Sequence, residues 1–213
     1  MNALLLRREA KPLWFVACLL PLLWLGFGIA ADRLGANPAE TLIRATGDWS
    51  LRALCLVLAI TPLRVALAWP ALARMRRMAG LWVFFYALLH ALAYAWLDMG
   101  LEPADIAADI GKRPFILVGF CALLLLLALA LTSFNAAIRW LGAARWRLLH
   151  RAVYAIAVLA VLHFFWMRAG KNNFAEVSVY AALLAGLLAW RVWNFSRAAS
   201  RPATVAARIR AGE

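Results

Sequence analysis

Six runs of apolar residues punctuate this chain, each close to the ~20 helical residues needed to cross the hydrocarbon core of a bilayer. They cover about residues 13–31, 51–69, 79–97, 114–134, 147–167 and 174–193. In hydrocarbon every backbone N–H and C=O must be satisfied within the chain, so such runs fold as helices. With 66% of its 213 residues apolar, against ~45–50% in a soluble domain, the chain has too little polar surface to face water. The connections between runs are too short for a further domain. The expectation is an all-α polytopic membrane protein, one domain over residues 1–213 built as a six-transmembrane-helix bundle.

Orientation follows from the positive-inside rule. With the N-terminus inside, sixteen of the 23 Lys and Arg fall on the inner side and eight of the ten Asp and Glu on the outer. Arg7, Arg8, Arg76, Arg77, Arg147 and Arg151 are among the inner cations; Asp98, Glu102, Asp105 and Asp109 are among the outer acids. Both termini are thus expected in the cytoplasm, with a basic tail over 197–213. The first run exceeds the ~7–15 apolar residues of a signal-peptide core, so it is expected to remain as an anchor. The net charge of +13 is then a record of topology. Nucleic-acid binding would need these cations gathered on a soluble face, whereas they lie in short loops between apolar runs.

Function is carried by three histidines, His90, His150 and His163. An ionisable ring at membrane depth is costly and reads as a functional site, and neutral imidazole is a common ligand of metals, haem iron included. His90 lies thirteen residues beyond Arg77 and His163 twelve beyond Arg151, both on spans running outward. At the helical rise both rings stand about 18–20 Å from the inner edge. The third and fifth spans could therefore present two axial ligands to one haem iron. The competing reading is two unrelated buried histidines, each bonded to a backbone carbonyl or a hydroxyl.

His150 stands at the inner edge, about 20 Å below His163, and on an ideal helix the two rings point about 140° apart. It reads as ligand to a second haem with an unusual partner, as a contact for a quinone headgroup or flavin, or as an interfacial histidine without a role. Arg77 and Arg151 at the same level could meet haem propionates or a flavin phosphate, since guanidinium suits such anions. Topology and lipid headgroups also account for them. Cys18, Cys55 and Cys121 lie singly, with no metal-ligand spacing. Neither a phosphate-binding glycine loop nor a hydrolase motif occurs.

Ordered short motifs run along nearly the whole chain: Leu34-Gly35-Ala36-Asn37-Pro38, Thr46-Gly47, Ile60-Thr61-Pro62-Leu63, Arg76-Arg77-Met78-Ala79-Gly80-Leu81-Trp82, Leu89-His90, Lys112-Arg113-Pro114-Phe115, Leu131-Thr132-Ser133, and Leu141-Gly142 on to His150, Tyr154 and His163. In order and spacing the chain resembles the MsrQ (YedZ) family of haem-binding membrane subunits, in the ferric reductase-like transmembrane superfamily. The resemblance implies that His90 and His163 ligate haem b and that His150 is a further ligand. It implies FMN as a second cofactor, with no motif here to place it. It also implies a bacterial inner-membrane location, electrons drawn from the quinone pool or a cytoplasmic flavin source such as a flavin reductase, and delivery to a periplasmic molybdopterin partner, MsrP. That partner would reduce methionine sulfoxide in oxidised periplasmic proteins, leaving this chain a non-catalytic electron-transfer subunit of a heterodimer. The superfamily often stacks two haems between the third and fifth spans; this chain has no second histidine on its third span.

Two other readings fit parts of the sequence. One is a different ferric reductase-like conduit passing electrons to an outer metal chelate. The other is a small transporter moving protons on the histidines, which would favour helices broken by Gly and Pro at the midplane. Topology is the most direct check on the charge argument. A fluorescent-protein fusion after Trp193 is expected to fluoresce, and an alkaline phosphatase fusion in the 98–113 loop to be active; the reverse pattern would invert the bundle.

Overall fold

The computed structural model describes residues 6–170 and 172–199, and among them there is no β-strand. The basic tail lies, from residue 200 onward, outside the described residues. Helix α1 covers Ala10–Ala30 and α2 Pro38–Ala66, followed by a 3₁₀ turn over Pro70–Met75. Helix α3 (Arg76–Ala93) ends in a π-helical turn, Tyr94–Asp98, and the short α4 (Pro103–Lys112) leads into α5 (Pro114–Leu131). Two short helices, α6 (Asn135–Leu141) and α7 (Ala143–Leu149), precede α8 (Ala152–Ala169) and α9 (Ala175–Ala199). Among the described residues six helical stretches are long and apolar enough to cross a membrane: Ala10–Ala30, Pro38–Ala66, Pro70–Asp98, Pro114–Leu131, Ala143–Ala169 and Ala175–Arg197. The chain is a multi-pass membrane protein.

The second of these starts at Pro38, well before the apolar run that marks it in the sequence. Its first turns carry Glu40, Arg44, Asp48 and Arg52, which lower the apolar count without opposing a helix. The start is specified by local chemistry instead. The Asn37 side chain accepts the Glu40 N–H at 3.1 Å, Pro38 occupies the first helical position, and Glu40 pairs with Arg44 one turn on; each is a favoured N-terminal device. The turn before it contains Gly35 at φ 85°, a conformation that glycine adopts at least cost.

Five helices close a ring. α2 packs along α3 and α9, α5 along α3 and α8, and α8 along α9. The two most intimate pairs are α2 with α3 and α5 with α8. Lipid is as apolar as leucine, so helices in a bilayer associate through close packing, and small residues at the crossings let backbones approach. Ala79 on α3 and Ala157 on α8 are such residues, both essentially inaccessible, beside Leu54, Leu58, Val83, Ile156 and Leu184. Outward-facing Trp24, Leu13, Val192 and Phe195 stay exposed, as a lipid-facing surface requires.

Helix α1 lies outside the ring, held to α3 by an aromatic cluster. Phe15 sits 5.1 Å from Trp82, Trp82 is 5.0 Å from Phe85, and the buried Tyr86 donates to the Cys18 carbonyl at 2.7 Å. Trp82, deep in its span, is thus part of a helix–helix contact.

Proline defines one further joint. Pro62 lies inside α2 and has no N–H to offer the carbonyl four residues earlier, which belongs to Leu58. Arg191 of α9 fills that place, its Nη2 donating to the Leu58 carbonyl at 2.9 Å and its Nη1 to the Tyr154 hydroxyl at 3.1 Å. Arg191→Met is expected to destabilise the detergent-solubilised protein by about 1.5–3 kcal/mol, the scale of a lost hydrogen bond to a charged group. In a Pro62→Ala background, which restores the helical donor, the cost should fall by at least about half. Thermal unfolding of the four proteins measures the difference; equal costs in both backgrounds would refute the joint.

Candidate functional site

His90 on α3 and His163 on α8 face one another across the ring. Their ring centroids are 6.1 Å apart with planes at 79°. The Nδ1 of His90 lies 2.8 Å from the Ile43 carbonyl of α2, and the Nδ1 of His163 lies 2.7 Å from the Phe115 carbonyl of α5. A carbonyl can only accept, so each Nδ1 carries the proton. In a neutral ring the lone pair is then on Nε2, the usual arrangement of a metal-ligating histidine held by a backbone acceptor.

The same cradle is built twice. Four residues beyond each accepting carbonyl, on the same helix face, stands a glycine: Gly47 after Ile43 and Gly119 after Phe115. A Cβ at Gly47 would lie 3.1 Å from the His90 ring, and one at Gly119 only 2.7 Å from Nδ1 of His163. The absent side chains are what let each imidazole lie flat on its neighbouring helix. On the α2 side the Thr46 hydroxyl also approaches the Ile43 carbonyl at 3.0 Å and the Leu42 carbonyl at 2.7 Å.

This arrangement fits a haem iron. Metal–nitrogen bonds of about 2 Å place two imidazole centroids bound to opposite sides of one metal a little over 6 Å apart, about the spacing observed. A haem needs only axial ligands from the protein, because its macrocycle supplies the equatorial nitrogens. Among the described residues no group of three or more His, Cys, Asp or Glu gathers to hold a metal ion.

A second feature lies at the arginine-rich end. A cavity of about 780 Å³ opens between α2, α3, α5, α7, α8 and α9, floored by residues such as Leu54, Leu58, Val83 and Leu126. Its rim carries His150 with Arg76, Arg77, Arg147, Arg151 and Arg191, and no Asp or Glu lines it. Several rim groups are already fixed. Arg77 donates to the Asn135 side chain at 2.7 Å, and Arg76 to the Thr61 hydroxyl at 3.2 Å. His150 stacks on Trp146, centroids 4.0 Å apart, and its Nε2 meets the Thr132 hydroxyl oxygen at 3.2 Å. That hydroxyl also lies 2.8 Å from the Ala128 carbonyl and 3.2 Å from the Leu129 carbonyl.

His90 and His163, foreseen as a pair, are brought together; His150, Arg77 and Arg151 gather at the separate cavity of the arginine-rich end. The angle between His150 and His163 counted on an ideal helix does not apply, because α7 ends at Leu149 and α8 begins at Ala152, with His150 and Arg151 in the turn between. Ile43, Gly47, Phe115 and Gly119 escaped the sequence argument as site residues. Thr46-Gly47 and Lys112-Arg113-Pro114-Phe115 were visible as motifs, but their task appears only once the histidines lie against them. Arg76, Arg191 and Tyr154 join the cavity in the same way.

A family model described as "Ferric reductase like transmembrane component" matches residues 46–161. Among curated proteins, one from Polaromonas naphthalenivorans is 66% identical over 190 residues, 89% of this chain and 87% of that protein. A Bordetella parapertussis protein is 54% identical over 196 residues, 90% of this chain and 93% of its own. A third, from Ralstonia nicotianae, is 50% identical over 198 residues, covering 93% and 91%. All three carry the name protein-methionine-sulfoxide reductase heme-binding subunit MsrQ. No solved structure matches.

The glycine cradle makes a sharp expectation for any metal centre held between the rings. Gly119→Val should displace the His163 ring and cut bis-imidazole low-spin absorbance of the purified protein at least about tenfold, the effect of ~1.4 kcal/mol or more of steric conflict. Gly186→Val on α9, where an added Cβ meets nothing within 4 Å, should leave that absorbance unchanged. Equal absorbance in both variants would show that the cradle does not position the ring.

Proposed function

This chain belongs to the MsrQ family of ferric reductase-like transmembrane proteins, and on that premise we propose that it is a haem b electron conduit serving a methionine sulfoxide reductase. Its electrons come from the quinone pool or a cytoplasmic flavin source and go to a periplasmic molybdopterin partner, MsrP, which repairs oxidised periplasmic proteins. The observation that carries the reading is the His90–His163 pair, two rings 6.1 Å apart with both Nδ1 atoms committed to backbone carbonyls.

His90 and His163 would hold one haem b, which when bound supplies reversible one-electron chemistry within the membrane. The protein's own contribution is to hold the ligands. Ile43 and Phe115 fix the tautomer through Nδ1, Gly47 and Gly119 give each ring its seat, and the surrounding apolar helices exclude water. A neutral, preorganised ligand pair lowers the rearrangement accompanying a change of iron charge.

The inner cavity is the reception site for the donor. Its apolar floor suits a planar ring system, and its arginine rim suits a phosphate, a propionate or the polar head of a quinol. Arg77, Arg151 and His150 are the residues we assign to that contact, whether the occupant is FMN, a quinone or a second haem. The Thr132 contact bears on the last case, because His150 would have to exchange its Nε2 hydrogen bond or bind through Nδ1.

The deciding experiment is a reduced-minus-oxidised absorption spectrum of the detergent-purified protein with haem supplied during expression. A sharp low-spin b-type signal is expected, and His90→Ala and His163→Ala should each abolish it. A colourless protein, or full haem retention in both variants, would overturn the reading.

A further inference from the structure

Beyond the histidine pair, away from the arginine-rimmed cavity, one carboxylate is buried. Asp109 on α4 is 8% exposed, and it is the one acidic residue classed as buried among the described residues. Both its oxygens are engaged. Tyr94 donates its hydroxyl to Oδ2 at 2.5 Å, and Nε of Arg113 lies 2.6 Å from Oδ1.

The positions of the partners give this cluster its meaning. Tyr94 stands one helical turn beyond His90, at the start of the π-helical turn that ends α3. Such turns carry an extra residue and recur near functional sites. Arg113 is the extended joint between α4 and α5, at φ −110° and ψ 107°. Two residues further on is Phe115, whose carbonyl receives the Nδ1 proton of His163. The cluster therefore joins the end of the helix bearing one histidine to the segment that aims the other.

Resting on the reading of His90 and His163 as haem ligands, we propose that Tyr94, Asp109 and Arg113 form a brace that fixes the spacing of the two ligands: they are positioning residues, touching neither ring. Asp109 is the buried member of the triad while the Arg113 side chain is half exposed, and charge-assisted hydrogen bonds to a buried carboxylate are stronger than neutral ones. With the brace intact the α3 and α5 ends stay together, and the two rings keep their 6.1 Å spacing. With it cut, the outer ends of the ring can separate and one imidazole can leave. The expected consequence is chemical: an iron with two histidines bound has no place for carbon monoxide, whereas one that has lost an imidazole does.

The test is carbon monoxide binding to the reduced, haem-loaded full-length protein, with haem content measured independently. Tyr94→Phe and Asp109→Ala should retain haem but raise the carbon monoxide-reactive fraction about tenfold, the population shift expected on losing one charge-assisted hydrogen bond. Arg113→Ala should act likewise and Arg113→Lys should restore most of the original behaviour. If Asp109→Ala does not accumulate, Tyr94→Phe, which removes a single hydroxyl, decides the matter. Variants fully loaded with haem and as inert to carbon monoxide as the unsubstituted protein would overturn the brace while leaving the conduit reading intact. An unsubstituted protein without haem would overturn both.

Discussion

An imidazole placed at membrane depth has one N–H that water cannot reach, and leaving it unpaired in hydrocarbon costs several kcal/mol. Much of the bundle's design follows from where those two protons go. Each is given to a carbonyl of the adjacent helix, at 2.8 Å for His90 and 2.7 Å for His163. A helical carbonyl can take a second donor only if that donor comes close to the backbone, and a side chain at Gly47 or Gly119 would prevent it. The closest helix pairs in the fold are the two that contain these contacts, α2 with α3 and α5 with α8. Imidazole tautomer, helix spacing and glycine position are thus one constraint expressed at three scales.

The arginine-rich end solves a different problem. Five guanidinium groups surround a cavity without a carboxylate, and charges of one sign at a membrane edge repel one another unless anchored or neutralised. Neutral acceptors anchor several of them: Asn135 for Arg77, Thr61 for Arg76, and for Arg191 the Leu58 carbonyl that Pro62 leaves without a helical donor. Holding cations with neutral partners preserves the positive field over the cavity mouth. An acidic partner in any of these places would cancel it.

Much of this architecture was legible in the sequence because it follows from length and counting. Apolar run length identified six helices, and the matched distances of His90 and His163 from flanking arginines put the two rings at one level. The beginning of α2 was not legible by apolar count, since Glu40, Arg44, Asp48 and Arg52 interrupt it, although Asn37-Pro38 carries a helix-start signal. The break at His150 and Arg151 contains neither proline nor glycine to announce it. Gly47 and Gly119 are two of twelve glycines, and nothing local separates them from Gly26 or Gly186, around which an added Cβ would find open space. Their role exists only in relation to a ring on another helix. The same holds for Asp109, which reads as one more outer-loop acid until Tyr94 and Arg113 close over it.

The ring of five helices is sealed by the contact between α9 and α2, the last and first of its members along the chain. Synthesis proceeds from the N-terminus, and domains assemble as their segments emerge. Until α9 has entered the bilayer, α2, α3, α5 and α8 can form only an open crescent. The two histidines, 6.1 Å apart, belong to α3 and α8 and so to this crescent. Arg191, reaching from α9 to the Leu58 carbonyl of α2, is a bond that joins the two ends of that crescent.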